Sequence, residues 1–166
     1  MSKLISISVA VLLITVSCNS QPSPQPEKQA EKNLAEAVIT KPVKLNKQMF
    51  LDEIVDYEKN PGQWLYKGEL PSLIDFYADW CRPCRITSPI LEELAQEYSG
   101  QIKVYKIDVQ VEQELAAIFG VQAIPSFLFI PKDNTPVMSS GIAATPELTK
   151  EMFRQQIHKI LLNKAK

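Results

Sequence analysis

The stretch Trp80-Cys81-Arg82-Pro83-Cys84 decides the fold of this chain, because it places two thiols at the junction of two elements. The run 72–78 before it is largely apolar, with the carboxylate of Asp75 out of place in it, and predicts a strand buried on both faces. After Cys81, apolar residues recur at helical spacing, namely Ile86, Ile90, Leu91, Leu94, Ala95 and Tyr98. The sequence therefore predicts reactive cysteines where a buried strand becomes a helix.

Patterns of the same kind predict the remaining elements in the order β-α-β-α-β-α-β-β-α. The predicted strands are 43–45, 72–78, 102–107, 126–130 and 137–139, and a turn is expected at 131–134. The predicted helices are 46–58 after the N-cap Asn46, 81–98 with a kink at Pro89, 112–119, and one that begins at Thr145. The last helix is expected to bury one face, made of Leu148, Met152, Phe153, Ile157, Ile160 and Leu161. Helical crossovers favour parallel strands and the late hairpin favours antiparallel ones. We therefore predict an α/β domain with a mixed central sheet flanked by helices on both faces.

The N-terminus predicts export. Residues 1–17 combine a positive start with an apolar run that is too short to span a bilayer but suits a signal peptide. The ending Thr15-Val16-Ser17-Cys18 resembles a bacterial lipobox, which predicts diacylation of Cys18. An ordinary secretory signal and an uncleaved anchor are the alternatives. Residues 18–41 form a tether rich in Pro, Gln, Glu and Lys, followed by a domain at 42–166. The predicted location is the bacterial cell envelope, lipid-anchored and facing the periplasm or the cell exterior.

Charge and cysteine count exclude several classes of protein. A net charge of −1 argues against non-specific nucleic-acid binding, which needs a basic surface. With Cys18 acylated, only two of the three cysteines remain, which excludes a structural disulfide framework. A Cys-x-x-Cys pair is also half of a zinc site, but the single histidine, His158, is predicted to lie on the surface. We therefore expect neither a metal nor a cofactor.

The helix N-terminus predicts different roles for the two thiols. Unsatisfied N–H groups and the helix dipole favour a thiolate at Cys81, which is expected to be the more exposed and to attack a substrate disulfide. Cys84 lies one turn further on and is expected to resolve the mixed disulfide. Pro83 restricts the local geometry, and Arg82 adds a positive charge beside the sulfurs.

The run from Asp75 to Cys84, Asp-Phe-Tyr-Ala-Asp-Trp-Cys-Arg-Pro-Cys, resembles the active-site segment of the thioredoxin family. Further landmarks match at consistent separations, and they are Pro89, Lys106, Ile124-Pro125 and Gly141. The resemblance extends from about Val43 to the C-terminus and implies a thioredoxin fold.

The resemblance also implies roles for residues around the thiols. Asp75 would be a buried acid that moves the proton of Cys84, and Lys106 would pair with Asp75. Pro125 would be cis and face the thiols, keeping metals away. The implied substrate groove consists of Trp80, Arg82, Pro83, Ile124, Pro125 and Gly141.

These features predict a monomeric protein disulfide reductase that acts on protein disulfide substrates outside the cytoplasm, with a membrane thiol carrier as electron donor. Pro83 and the absence of histidine between the thiols favour the reductive direction. Arg82 replaces the glycine common in the family, which keeps a disulfide oxidase or isomerase as an alternative. A non-catalytic thioredoxin-like binding module is the alternative from another class, and it would have no need of the Asp75–Lys106 pair.

Overall fold

The computed structural model describes residues 41–133 and 135–163. The predicted signal segment 1–17, the lipidation site Cys18 and the tether up to residue 40 lie outside the described residues, as does Asn134 of the predicted turn. Over the residues described, no helix has both the length and the apolar character needed to cross a membrane.

Five strands form one sheet in the order β1-β3-β2-β4-β5. The strands are β1 (Val43–Lys44), β2 (Ser72–Tyr77), β3 (Lys103–Asp108), β4 (Ser126–Ile130) and β5 (Val137–Ser140). Strand β3 pairs in parallel with β1 and β2, whereas β4 pairs antiparallel with β2 and β5. The predicted mixed sheet is therefore confirmed.

Helices cover both faces of this sheet. They are α1 (Lys47–Glu53), α2 (Arg82–Glu97), α3 (Gln113–Ile118) and α4 (Pro146–Gln156), with a π-helical turn (Ile157–Leu161) that continues α4. Helix α2 runs unbroken through Pro89. Side chains of a strand alternate between faces, so Leu73 of β2 packs among residues of α2 and α4, while Ile74 and Phe76 pack among residues of α1 and α3.

The first helix is shorter than the sequence predicted. Asn46 caps it as expected, since its side-chain oxygen accepts the N–H of Met49 at 2.8 Å. The helix ends at Glu53 rather than near residue 58. The N–H groups of Ile54 and Val55 both donate to the carbonyl of Phe50, at 2.9 and 3.1 Å, so the regular i to i−4 pattern ends there. Both side chains are buried beyond the helix end.

The buried face of the last helix also differs from the prediction. Leu148, expected in the core, is 56% exposed, and Thr149 is fully buried in its place. The buried positions repeat every four residues, namely Thr149, Phe153, Ile157 and Leu161. The Thr149 hydroxyl donates to the carbonyl of Thr145 at 2.8 Å, so its burial leaves no polar group unsatisfied.

His158 was predicted at the surface but is partly buried against α2. Its Nε2 lies 3.0 Å from the hydroxyl of Tyr98, and the two rings meet edge to face. Within the described ranges, no group of three or more His, Cys, Asp or Glu side chains could hold a metal ion.

Candidate active site

The cysteine pair lies where β2 gives way to α2. Cys81 is the N-cap of α2, and its N–H donates to the carbonyl of Ala78 at 3.1 Å, which turns the chain. Pro83 occupies the first turn of the helix, where a missing N–H leaves no helical bond unmade. The two sulfurs form a disulfide, with a Cα–Cα distance of 5.3 Å. The structure therefore represents the oxidised state of the pair.

One hydrogen bond distinguishes the two sulfurs. The backbone N–H of Cys84 donates to Sγ of Cys81 at 3.2 Å. In the reduced state, the same donor and the free N–H groups of the helix N-terminus favour negative charge on Cys81. This local geometry supports Cys81 as the sulfur that becomes a thiolate.

The exposure expected for Cys81 is not observed. Cys81 is only 3% exposed and Cys84 1%, and both pack against Tyr77 and Ala78, with Val109 and Ile124 at the edge of the cluster. The surface beside them is nevertheless accessible. It consists of Trp80, which is 64% exposed, and the exposed side chains of Arg82 and Pro83.

The loop before β4 forms the other wall of the site. The Ile124–Pro125 peptide bond is cis, which confirms the prediction. The Pro125 carbonyl accepts the N–H of Gly141 at 3.0 Å, so the residue after β5 is tied to this loop. Gly141 has a φ of +81°, a conformation that glycine adopts without strain. The structure thus brings Ile124 beside the cysteines and Gly141 beside Pro125, while their contact with substrate remains a prediction.

Asp75 lies in the middle of β2 and is completely buried. Neither of its carboxyl oxygens has a hydrogen-bond partner. Its side chain shares a face of β2 with Leu73, which packs under α2, and with Tyr77, which packs against the cysteines. Burial raises the pKa of Asp75 from 3.8 to about 7, and the positive charge of Lys106 opposes this rise. The structure therefore contains a buried acid whose proton is exchangeable near neutral pH.

The predicted ion pair between Lys106 and Asp75 is not formed. The two residues are register neighbours on β3 and β2. The ammonium of Lys106 instead donates to the hydroxyl of Ser88 at 2.9 Å and lies 4.3 Å from the centre of the Tyr77 ring. Its charge acts on Asp75 only through space. Ser88 was not among the predicted site residues, although its position four residues after Cys84 places it on the same side of α2.

Comparisons with known proteins agree with this geometry. The family model for thioredoxin matches residues 44–159. A thioredoxin of Borreliella burgdorferi is 42% identical over 114 residues, which cover 67% of this chain and 97% of that protein. A thioredoxin of Haemophilus influenzae is 39% identical over 89 residues, which cover 54% of this chain and 81% of that protein. Among solved structures, the N21Q mutant thioredoxin from Halobacterium salinarum NRC-1 superposes with a TM-score of 0.56 at 27% identity, covering 75% of this chain and 94% of that chain.

Proposed function

The chain belongs to the thioredoxin family of thiol–disulfide oxidoreductases, and we propose that it is a protein disulfide reductase that acts outside the cytoplasm. The observation that carries this proposal is the Cys81–Cys84 pair at the N-terminus of α2, with one sulfur accepting the N–H of the other residue. Such a pair stores two electrons when it is reduced and releases them when its disulfide forms.

The proposed reaction proceeds in two exchanges. In the reduced enzyme, the Cys81 thiolate attacks one sulfur of a substrate disulfide. The substrate S–S bond breaks, a mixed disulfide forms, and the released substrate thiolate takes up a proton. The Cys84 thiolate then attacks Sγ of Cys81, which forms the enzyme disulfide and releases the second substrate thiolate, which is protonated in turn. Two electrons pass from the enzyme to the substrate.

Asp75 is the proposed proton carrier for the second exchange. Cys84 must lose its proton before it attacks, and its burial excludes bulk water as a ready base. Asp75 lies on the strand face that runs beneath the start of α2, and its pKa of about 7 leaves both of its forms populated near neutral pH. Its carboxylate accepts the Cys84 proton and later returns it to solvent.

The reductive direction rests on the residues between the thiols. Pro83 is retained and histidine is absent, so the segment lacks the residue that stabilises the thiolate in strongly oxidising relatives. A reductase also requires an electron donor, which by its chemistry is a dithiol presented at the membrane.

Measuring the reduction potential of the Cys81–Cys84 pair tests the direction of electron flow. A value near about −270 mV supports a reductase, whereas one near about −120 mV supports an oxidase.

The proposed location rests on residues 1–18, with Cys18 as the acylated residue and the segment after it as the tether. Growth of expressing cells with a palmitate analogue tests the anchor. Label is expected on the wild-type chain and not on Cys18→Ala. An unlabelled wild-type chain would indicate a secreted protein or an uncleaved anchor instead.

Two cysteine variants test the activity itself. Cys81→Ser is expected to abolish insulin reduction driven by dithiothreitol, because it removes the attacking sulfur. Cys84→Ser is expected to accumulate mixed disulfides with substrate proteins, because their resolution is blocked. Turnover by Cys81→Ser would contradict the assignment of the nucleophile. Failure of Cys84→Ser to capture any disulfide substrate would favour a binding module.

A further inference from the structure

The position of the Lys106 side chain needs an explanation. Residues paired across neighbouring strands project to the same face, and the strands lie about 4.8 Å apart. Lys106 and Asp75 are such a pair, so a lysine side chain can reach the carboxyl. The ammonium is nevertheless directed towards α2, where it meets the hydroxyl of Ser88 and the ring of Tyr77. Both carboxyl oxygens of Asp75 are left without a partner.

We propose that Ser88 is a positioning residue for the exchange reaction, because its hydroxyl holds the Lys106 ammonium away from Asp75 and so keeps that carboxyl unpaired. The hydroxyl accepts one N–H of the ammonium, and the Tyr77 ring provides a cation–π contact. Together they hold the Lys106 ammonium in place without a carboxylate. The inference rests on the proposed function in one respect, which is that Asp75 carries the proton.

A direct ion pair would weaken Asp75 as a proton carrier. A cation within about 4 Å of a carboxyl stabilises its ionised form and lowers its pKa by roughly 1 to 3 units. Asp75 would then remain ionised near neutral pH and would hold a proton from Cys84 less well. Because Lys106 is kept at a distance, burial is the larger influence on Asp75 and its pKa stays near about 7.

Several titratable side chains share the sheet face of Asp75 or cover it, namely Tyr77, Lys106, Asp108 and Lys44 on the strands and Cys81 and Cys84 at the start of α2. Of these charged groups, it is Lys106 that acts on the pKa of Asp75. The neighbouring strand Ser126–Ile130 carries no titratable side chain. Cations of α4 pair with Glu93 and Glu97, towards the far end of α2. In the oxidised protein the two cysteines do not titrate, so the ionisation of Asp75 can be followed without coupled thiols.

The test is a carbon NMR titration of the Asp75 carboxyl in the oxidised, 13C-labelled protein. Ser88→Ala frees the Lys106 ammonium to approach the carboxyl, so the titration midpoint is expected to fall by about one pH unit or more. Ser88→Thr keeps the hydroxyl and is expected to restore the wild-type midpoint. An unchanged midpoint in Ser88→Ala would overturn the proposal.

A double-mutant cycle with Lys106→Met identifies the route of the effect. Removing the cation is expected to raise the midpoint of Asp75, and Ser88→Ala is expected to add no further change in that background. If Ser88→Ala lowers the midpoint equally without Lys106, Ser88 acts by another route and the proposal fails. This readout needs neither substrate nor electron donor. If the protein fails to reduce disulfides, the proposed function is refuted. The titration tests the role of Ser88 independently of that result.

Discussion

Replacement of Asp75 by asparagine should make the protein more stable at neutral pH and leave a pH-dependent signature. Burial raises the pKa of Asp75 from 3.8 to about 7, a difference of about 3 pKa units. Each unit corresponds to about 1.4 kcal/mol, so ionising this carboxyl in the folded state costs about 4 kcal/mol. Asp75 is completely buried, so solvent screening does not reduce this figure.

The sign of the effect follows from proton binding. Below pH 3.8 both folded and unfolded chains hold the proton, and the free energy of unfolding carries no penalty. Between pH 3.8 and about 7 the unfolded chain has released its proton while the folded chain retains it, so the wild type steadily loses stability relative to Asp75→Asn. Above about pH 7 the loss is complete, at about 4 kcal/mol.

Urea denaturation of both oxidised proteins between pH 3 and 9 measures this difference. The amide introduced by Asp75→Asn also changes stability by an amount that is the same at every pH. This amount does not affect how the stability difference between the two proteins varies with pH. Asp56→Asn is a control in which the change of stability with pH should have the opposite sign. Hydrogen bonds from the backbone and side chain of Lys59 lower the pKa of Asp56. The stability that the ionised Asp56 adds to the folded state is present above pH 3.8 and is lost as the pH falls through the lower pKa of the folded protein. A stability difference between the wild type and Asp75→Asn that does not change with pH would refute the explanation by burial.

Two further predictions concern the groove and the last helix. Gly141→Ala and Gly62→Ala should each lose about 1 to 2 kcal/mol, since both glycines have positive φ and open space around the added methyl. Only Gly141→Ala should raise KM for a disulfide substrate, because relief of its strained φ moves the backbone N–H away from the Pro125 carbonyl that it holds; equal KM values in insulin reduction would exclude this role. Leu148→Ser should change the free energy of unfolding by less than about 0.5 kcal/mol, whereas Phe153→Ala should cost about 3 to 5 kcal/mol in urea denaturation. A large loss of stability in Leu148→Ser would instead support the helix face predicted from the sequence, with Leu148 in the core.

Local features of the site followed directly from the sequence. A Cys-x-x-Cys pair after an apolar run places Cys81 at a helix N-terminus, because strand and helix patterns are read over a few neighbouring residues. The same holds for Asn46 as a cap and for the strand Ser126–Ile130, whose bounds match the prediction. The cis bond before Pro125 was predicted from the family resemblance and from its position before a buried strand.

The tertiary structure decided what residues distant in sequence do to each other. The periodicity of the sequence could not show that Ile54 and Val55 are both buried, nor that Thr149 replaces Leu148 in the core. The elements that pack against a helix determine which of its faces is buried, and a periodic pattern does not contain that information. The partner of Lys106 was decided in the same way. Sequence indicated a cation beside the buried acid, but only the packing of α2 on the sheet brings Ser88 within hydrogen-bond distance of its ammonium. A lysine has a long side chain with several acceptors in reach, and the three-dimensional arrangement selects among them.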